Sequence, residues 1–138
     1  MARNKILVVE DDPDVRQAMH IRLRASDYET CVASDALSCM VQARKNSPDL
    51  ILLDLGLPAG DGFLVMERLK RIPSLAVIPI IIVSARDVHE NQVRALRAGA
   101  AAYLQKPVEN AHLLAVIRKT LGYAEVPENP APNRLAAI

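Results

Sequence analysis

The 138-residue chain has no tryptophan, one phenylalanine and three tyrosines. A core built from it must be aliphatic, made of Val, Ile, Leu and Ala. An excess of charge of either sign is also missing. Formal net charge is +1, from 17 Lys and Arg against 16 Asp and Glu. No basic excess points to nucleic acid, and no acidic block points to a solvating tail. No apolar run approaches the ~20 residues of a membrane-spanning helix. The opening "MARNKILVVE" lacks the long apolar region of a signal peptide, so a cytoplasmic location is the expectation. The two cysteines, Cys31 and Cys39, match no metal-binding spacing. They are expected to be reduced, partly buried packing thiols. What remains is a chain about one domain long, half of it apolar, which is enough for a sizeable core.

That core follows two alternating periods. "KILVV" (5–9), "ETCVA" (29–33), "LILL" (50–53), "IPIIIV" (78–83) and "AAYL" (101–104) read as strands. Three are nearly continuous apolar runs, the mark of strands buried on both faces. Helical stretches fall between them. Residues 13–25 set Val15, Ala18, Met19 and Leu23 on one side, with Asp12 as cap and Pro13 in the first position. Residues 35–46 end before Ser47-Pro48, and residues 61–70 begin at Asp61. Residues 87–98 end at Gly99. Residues 109–121 group Leu114, Ile117 and Leu121 and end at Gly122. Five βα units with right-handed crossovers predict an α/β fold, a doubly wound five-stranded parallel sheet, (βα)5. Residues 1–122 make that domain. Residues 123–138, "YAEVPENPAPNRLAAI", have three prolines and no periodicity, and read as a tail or linker.

In open sheets of this kind, ligands bind beyond the carboxyl ends of the strands. The first strand ends in Glu10-Asp11-Asp12 and the third in Asp54. The fourth ends in Ser84, and the fifth leads into Lys106. If the first and third strands are central neighbours, the carboxylates share one cleft. Unit charges about 4 Å apart repel by ~4 kcal/mol at an effective dielectric of about 20, so the cluster needs a cation. Oxygen ligands favour Mg²⁺ or Mn²⁺ over Zn²⁺ and leave sites for water and phosphate. Asp54 can then attack phosphorus as a nucleophile. Lys106 and the Ser84 hydroxyl would balance and hydrogen-bond the phosphoryl oxygens.

Taken together, "VVEDD", "LLDLGLPAGDG", "VSA" and "QKP" resemble the receiver domain of the two-component response-regulator family, over about Lys5 to Gly122. Asp54 stands thirty residues before Ser84, and Ser84 twenty-two before Lys106, spacings similar to the family's. The resemblance implies a flavodoxin-like fold and phosphorylation of Asp54 from a histidine of a sensor kinase or phosphotransfer protein. It implies that Asp11 and Asp54 bind Mg²⁺ directly, that Glu10 acts through water, and that the Gly56 carbonyl is a further ligand. Lys106-Pro107 resembles the family's cis peptide. Ser84 and Tyr103 match its switch positions, with Tyr103 turning from exposed to buried. The face of residues 87–121 would change with them, offering Arg94, Arg97, Gln105 and His112 to a partner or a second copy. Gly56 and Arg86 stand where the family tunes dephosphorylation. Gly56 cannot orient a water, and Arg86 stays protonated and cannot act as a base, which implies a long-lived phosphoryl group.

The resemblance implies a signalling switch that catalyses only its own phosphorylation and dephosphorylation. It implies no membrane contact and no nucleic-acid binding by this domain. A phosphatase with an aspartyl-phosphate intermediate would carry an Asp two residues after its nucleophile; Gly56 stands there. A degenerate receiver serving only as a binding scaffold would have lost an acid or the lysine, and none is lost. An FMN protein would not place Glu10-Asp11-Asp12 against phosphate. Simpler roles remain for Asp12 as a helix cap, and for His20, His89 and His112 as surface or packing residues.

Overall fold

The computed structural model describes residues 3–57 and 62–122. The strands are β1 Lys5–Val9, β2 Glu29–Ala33, β3 Leu50–Leu53, β4 Ile80–Ser84 and β5 Ala102–Gln105. They form one parallel sheet in the order β2-β1-β3-β4-β5. The helices are α1 Pro13–Ala25, α2 Ala36–Asn46, α3 Gly62–Arg71, α4 Pro73–Ala76, α5 Val88–Arg97 and α6 Asn110–Thr120. The expected doubly wound (βα)5 fold is present. The predicted start at Asp61 and the 123–138 tail lie outside the described residues.

Two aliphatic cores lie on opposite faces of the sheet. One packs Leu7, Val9, Ile51, Leu53, Ile80 and Ile82 against α2, α3 and α5. The other packs Ile6, Val8, Leu50, Leu52, Ile81 and Val83 against Met19 and Leu23 of α1 and Leu113 and Ile117 of α6. Alternate side chains of one strand thus enter different cores, which is why β1, β3 and β4 need continuous apolar sequence. The edge strands β2 and β5 keep exposed positions, Glu29, Val32 and Gln105. On α6 the fully buried residues are Leu113 and Ile117, and Leu114 is half-buried. On α1, Val15 is half-buried and Ala18 exposed, so its buried stripe narrows to Met19 and Leu23.

The caps position the functional edge. Asp12 Oδ1 accepts from the amides of Asp14 at 2.9 Å and Val15 at 3.3 Å, and so starts α1 directly after the acidic run. Gly99 (φ +105°) and Gly122 (φ +82°) follow the C-terminal turns of α5 and α6 in the left-handed region glycine favours. α4 was not expected from the sequence. Four residues are too few to carry a helical period, and Leu75 alone is buried there.

Candidate functional site

Sheet order converts separate sequence motifs into one cleft. Val9 and Leu53 are register partners in β1 and β3, and the Asp54 amide donates to the Val9 carbonyl at 3.1 Å. Glu10 and Asp54 therefore leave the sheet side by side. Ser84 and Gln105 are register partners in β4 and β5, and the Lys106 amide donates to the Ser84 carbonyl at 2.8 Å. The switch in connection direction at β1 and β3 opens the crevice that holds these groups.

Asp54 is nearly buried, with 9 % of its surface exposed, and Glu10 and Ser84 are buried. Lys106 Nζ lies 3.4 Å from Asp54 Oδ2 and forms a short ion pair with Glu10 Oε1. Burial acts to lower the lysine's pKa, but the Glu10 hydrogen bond and the Asp54 charge outweigh it, so the ammonium is held protonated above its ordinary value. Burial pushes the Glu10 carboxyl up; bonds from Lys106 and the Asp12 amide offset this only in part. The Gly56 amide donates to Asp54 Oδ1 at 3.1 Å, which fixes the carboxylate's rotation.

The acids fit a hard divalent cation. Glu10, Asp11 and Asp54 each offer an oxygen, and these oxygens lie within 4.8 Å of one another. An all-oxygen set of this density suits Mg²⁺. Gly56 follows Asp54 on the same turn, with its backbone beside the acceptor. The Lys106–Pro107 peptide is cis. Asp12 is held as a cap.

Sequence reasoning missed one participant. Arg16 Nη1 donates to the Glu10 carbonyl at 2.9 Å and reaches the Asp11 carbonyl at 3.4 Å. An arginine within the first turns of a helix that follows an acidic run was the available signal.

Two expectations on the distal face need correction. Tyr103 is already buried, with 7 % exposed, and its hydroxyl donates to the Arg86 carbonyl at 2.8 Å. The β4–α5 loop supplies the phenol with a partner in this buried position. Arg94 lies over the Phe63 ring, 3.8 Å from its centroid, and faces α3 instead of β5. Its neighbours there are Glu67, Lys70, Arg71 and Ala98. Gln105 and His112 do share a surface with Tyr103, around a cavity of about 340 Å³ that also borders Val88 and Pro107. Ser84 does not cap α5. Asp87 does so, through the His89 amide, while Ser84 Oγ accepts from the Arg86 amide at 3.3 Å. Arg86 is exposed. His20 contacts Thr30 of β2 as a packing residue, and His89 and His112 are exposed.

Residues 6–118 match the sequence profile of the family described as response regulator receiver domain. The chain belongs to that family. The receiver domain is 37 % identical over 121 residues to the phosphate regulon transcriptional regulatory protein PhoB of Escherichia coli, covering 88 % of this chain and 52 % of that protein. A putative response regulator from Chloroflexus aurantiacus superposes with a TM-score of 0.82 at 29 % identity, covering 87 % of this chain and 98 % of that one. The receiver domain of sensor histidine kinase PA1611 from Pseudomonas aeruginosa superposes with a TM-score of 0.80 at 28 % identity, covering 88 % and 99 %. That structure has a magnesium ion coordinated in its active-site cleft. This receiver chain spans between a quarter and about half the length of the curated relatives it matches. None of its described helices is long and apolar enough to cross a membrane.

Proposed function

We propose that this receiver domain is a phosphoacceptor switch in a histidine-to-aspartate phosphorelay. The observation that carries the reading is the convergence of Asp54, Lys106, Glu10 and Asp11 at one strand edge. An Asp54 oxygen attacks the phosphorus of a phosphohistidine on a sensor kinase or phosphotransfer protein. The P–O bond forms as the P–N bond breaks, and the imidazole leaves with the electron pair. Asp11, Asp54 and the Gly56 carbonyl, with Glu10 through water, would hold Mg²⁺ (or Mn²⁺), which when bound neutralises charge building on the phosphoryl oxygens. Lys106 supplies a fixed ammonium on the other side of Asp54, and Ser84 a hydroxyl. The domain is no enzyme toward other substrates; it promotes only its own phosphorylation and dephosphorylation. The long-lived phosphoryl group implied by Gly56 and Arg86 belongs to this reading.

The phosphodonor approaches the carboxyl edge of the sheet. An apolar groove of about 470 Å³ opens there beside Lys106, bordered by Val15, Met19, Val83, Pro107 and Val108. It suits the apolar face of a partner helix. Output passes through the α5–β5–α6 face, with the exposed Arg97, Gln105 and His112 as contacts for a partner or a second copy. The domain works in the cytoplasm, and nucleic acid takes no part in the step.

Intact-mass spectrometry after incubation with acetyl phosphate and Mg²⁺ tests the reading. One phosphoryl group should add to the wild type, and none to Asp54→Asn. Equal labelling of the mutant would sink the assignment.

A further inference from the structure

Arg16 is the fourth residue of α1, yet its side chain turns back over the helix start. It grips main-chain oxygens of the acidic loop, those of Glu10 at 2.9 Å and Asp11 at 3.4 Å. The loop's other corners are held separately. The Glu10 amide donates to the Ala33 carbonyl at 3.0 Å, and the Asp12 amide to Glu10 Oε2 at 3.2 Å. Asp12 in turn caps α1. Arg16 supplies the remaining tie, from the loop's carbonyls back to the helix.

We propose that Arg16 is a positioning residue for the cation site. By holding the Glu10 and Asp11 carbonyls, it turns the side chains of those residues toward Asp54. This rests on the reading of the acidic cluster as a Mg²⁺ site. The chemistry suits arginine. One terminal nitrogen, Nη1, meets both successive carbonyls, and the rigid guanidinium plane fixes its N–H directions, whereas a lysine ammonium is a point charge on a flexible stem. Bonding to carbonyls also leaves the carboxylate oxygens to the ion.

The simpler reading is a surface arginine that damps the loop's negative charge. The two readings differ in sign. A cation near the site repels Mg²⁺, so its removal should tighten binding. A positioning bond gathers the ligands, so its removal should weaken binding.

Calorimetric titration of Mg²⁺ into the full chain separates them. Arg16→Ala should bind about tenfold more weakly than wild type, the scale at which outer ligand supports act. Arg16→Lys should recover part of the loss. Thermal unfolding without metal, run alongside, should show both variants folded. Unchanged or tighter binding by Arg16→Ala would overturn the proposal. If Arg16→Ala does not fold, Arg16→Lys carries the test: weaker binding supports it and wild-type affinity overturns it. Should the wild type itself bind no Mg²⁺, the metal reading fails separately. Hydrogen exchange without metal then decides. Faster exchange of the Asp12 and Asp14 amides in the variant supports positioning, and unchanged exchange refutes it.

Discussion

At residue scale the tightest constraint on the site is Gly62. A Cβ there would lie 2.8 Å from the Asp54 carbonyl oxygen and 2.8 Å from Leu55 Cα. Both are backbone atoms of the turn that carries the acceptor, so neither yields by a rotamer change. Gly62→Ala should cost ~1–3 kcal/mol, as overpacking does, seen as a lower urea midpoint. Phosphorylation of Asp54 should slow with it. An unchanged midpoint would mean that the turn gives way freely. The cysteines stay outside the chemistry. Burial pushes the Cys39 thiol up to about 12 and also raises Cys31, so both are protonated packing groups at neutral pH.

The elements are held in place by their ends. α2 starts with a reciprocal cap: Asp35 Oδ1 accepts from the Ser38 amide at 2.7 Å, and Ser38 Oγ accepts from the Asp35 amide at 3.2 Å. The Ser38 amide, then its hydroxyl, hold the Asp35 carboxyl below its ordinary value of 3.8. A depressed folded pKa means that the charged cap stabilises fully above the unfolded value. That contribution fades as pH falls through the folded value. Wild type should therefore exceed Asp35→Ala in stability at neutral pH, and the gap should narrow as pH falls below the unfolded value and through the lower folded one. Denaturant melts at several pH values check this; a gap that persists in acid would assign the cap's effect to something other than charge. The helical stretch 35–46 is legible in the sequence, and the structure places Asp35 just before it as the cap, because capping is decided within four residues. α4 escaped for the converse reason: Leu75 is buried by its neighbours, not by any period of its own.

Across the whole molecule, contacts among the described residues link β5 to the start of α5 and the loop before it. Tyr103 binds the Arg86 carbonyl, and Gln105 Oε1 accepts from the Val88 amide at 3.0 Å. Burial raises the Tyr103 phenol, with the Ser84 bond and Arg86 charge opposing, so it remains a hydrogen-bond donor. The phenol is already inside, so a phosphoryl group that drew Ser84 inward would favour an arrangement the fold supports. A ligand shifts such an equilibrium only by its differential affinity. Beryllofluoride, a phosphoryl mimic, should move the NMR amide signals of Tyr103, Gln105 and residues 88–97. Tyr103→Phe should shrink the response along α5. Shifts confined to the turns beside Asp54 would leave a rigid domain whose partner reads the phosphate directly.

The sequence alone determined the five βα units, the aliphatic core and the identity of the acids, Ser84 and Lys106. Those properties reside in local periodicity and in residues at strand ends. Tertiary structure decided which groups meet. Lys106 and Glu10 stand 96 residues apart in the chain and touch only because β1 lies next to β3, and β4 between β3 and β5. It decided that Tyr103 is buried, that Arg94 turns to Phe63, and that Arg16 reaches back to the acidic loop. Each is a side-chain choice among partners brought near by packing. Such choices depend on distances across the fold, which no local pattern encodes.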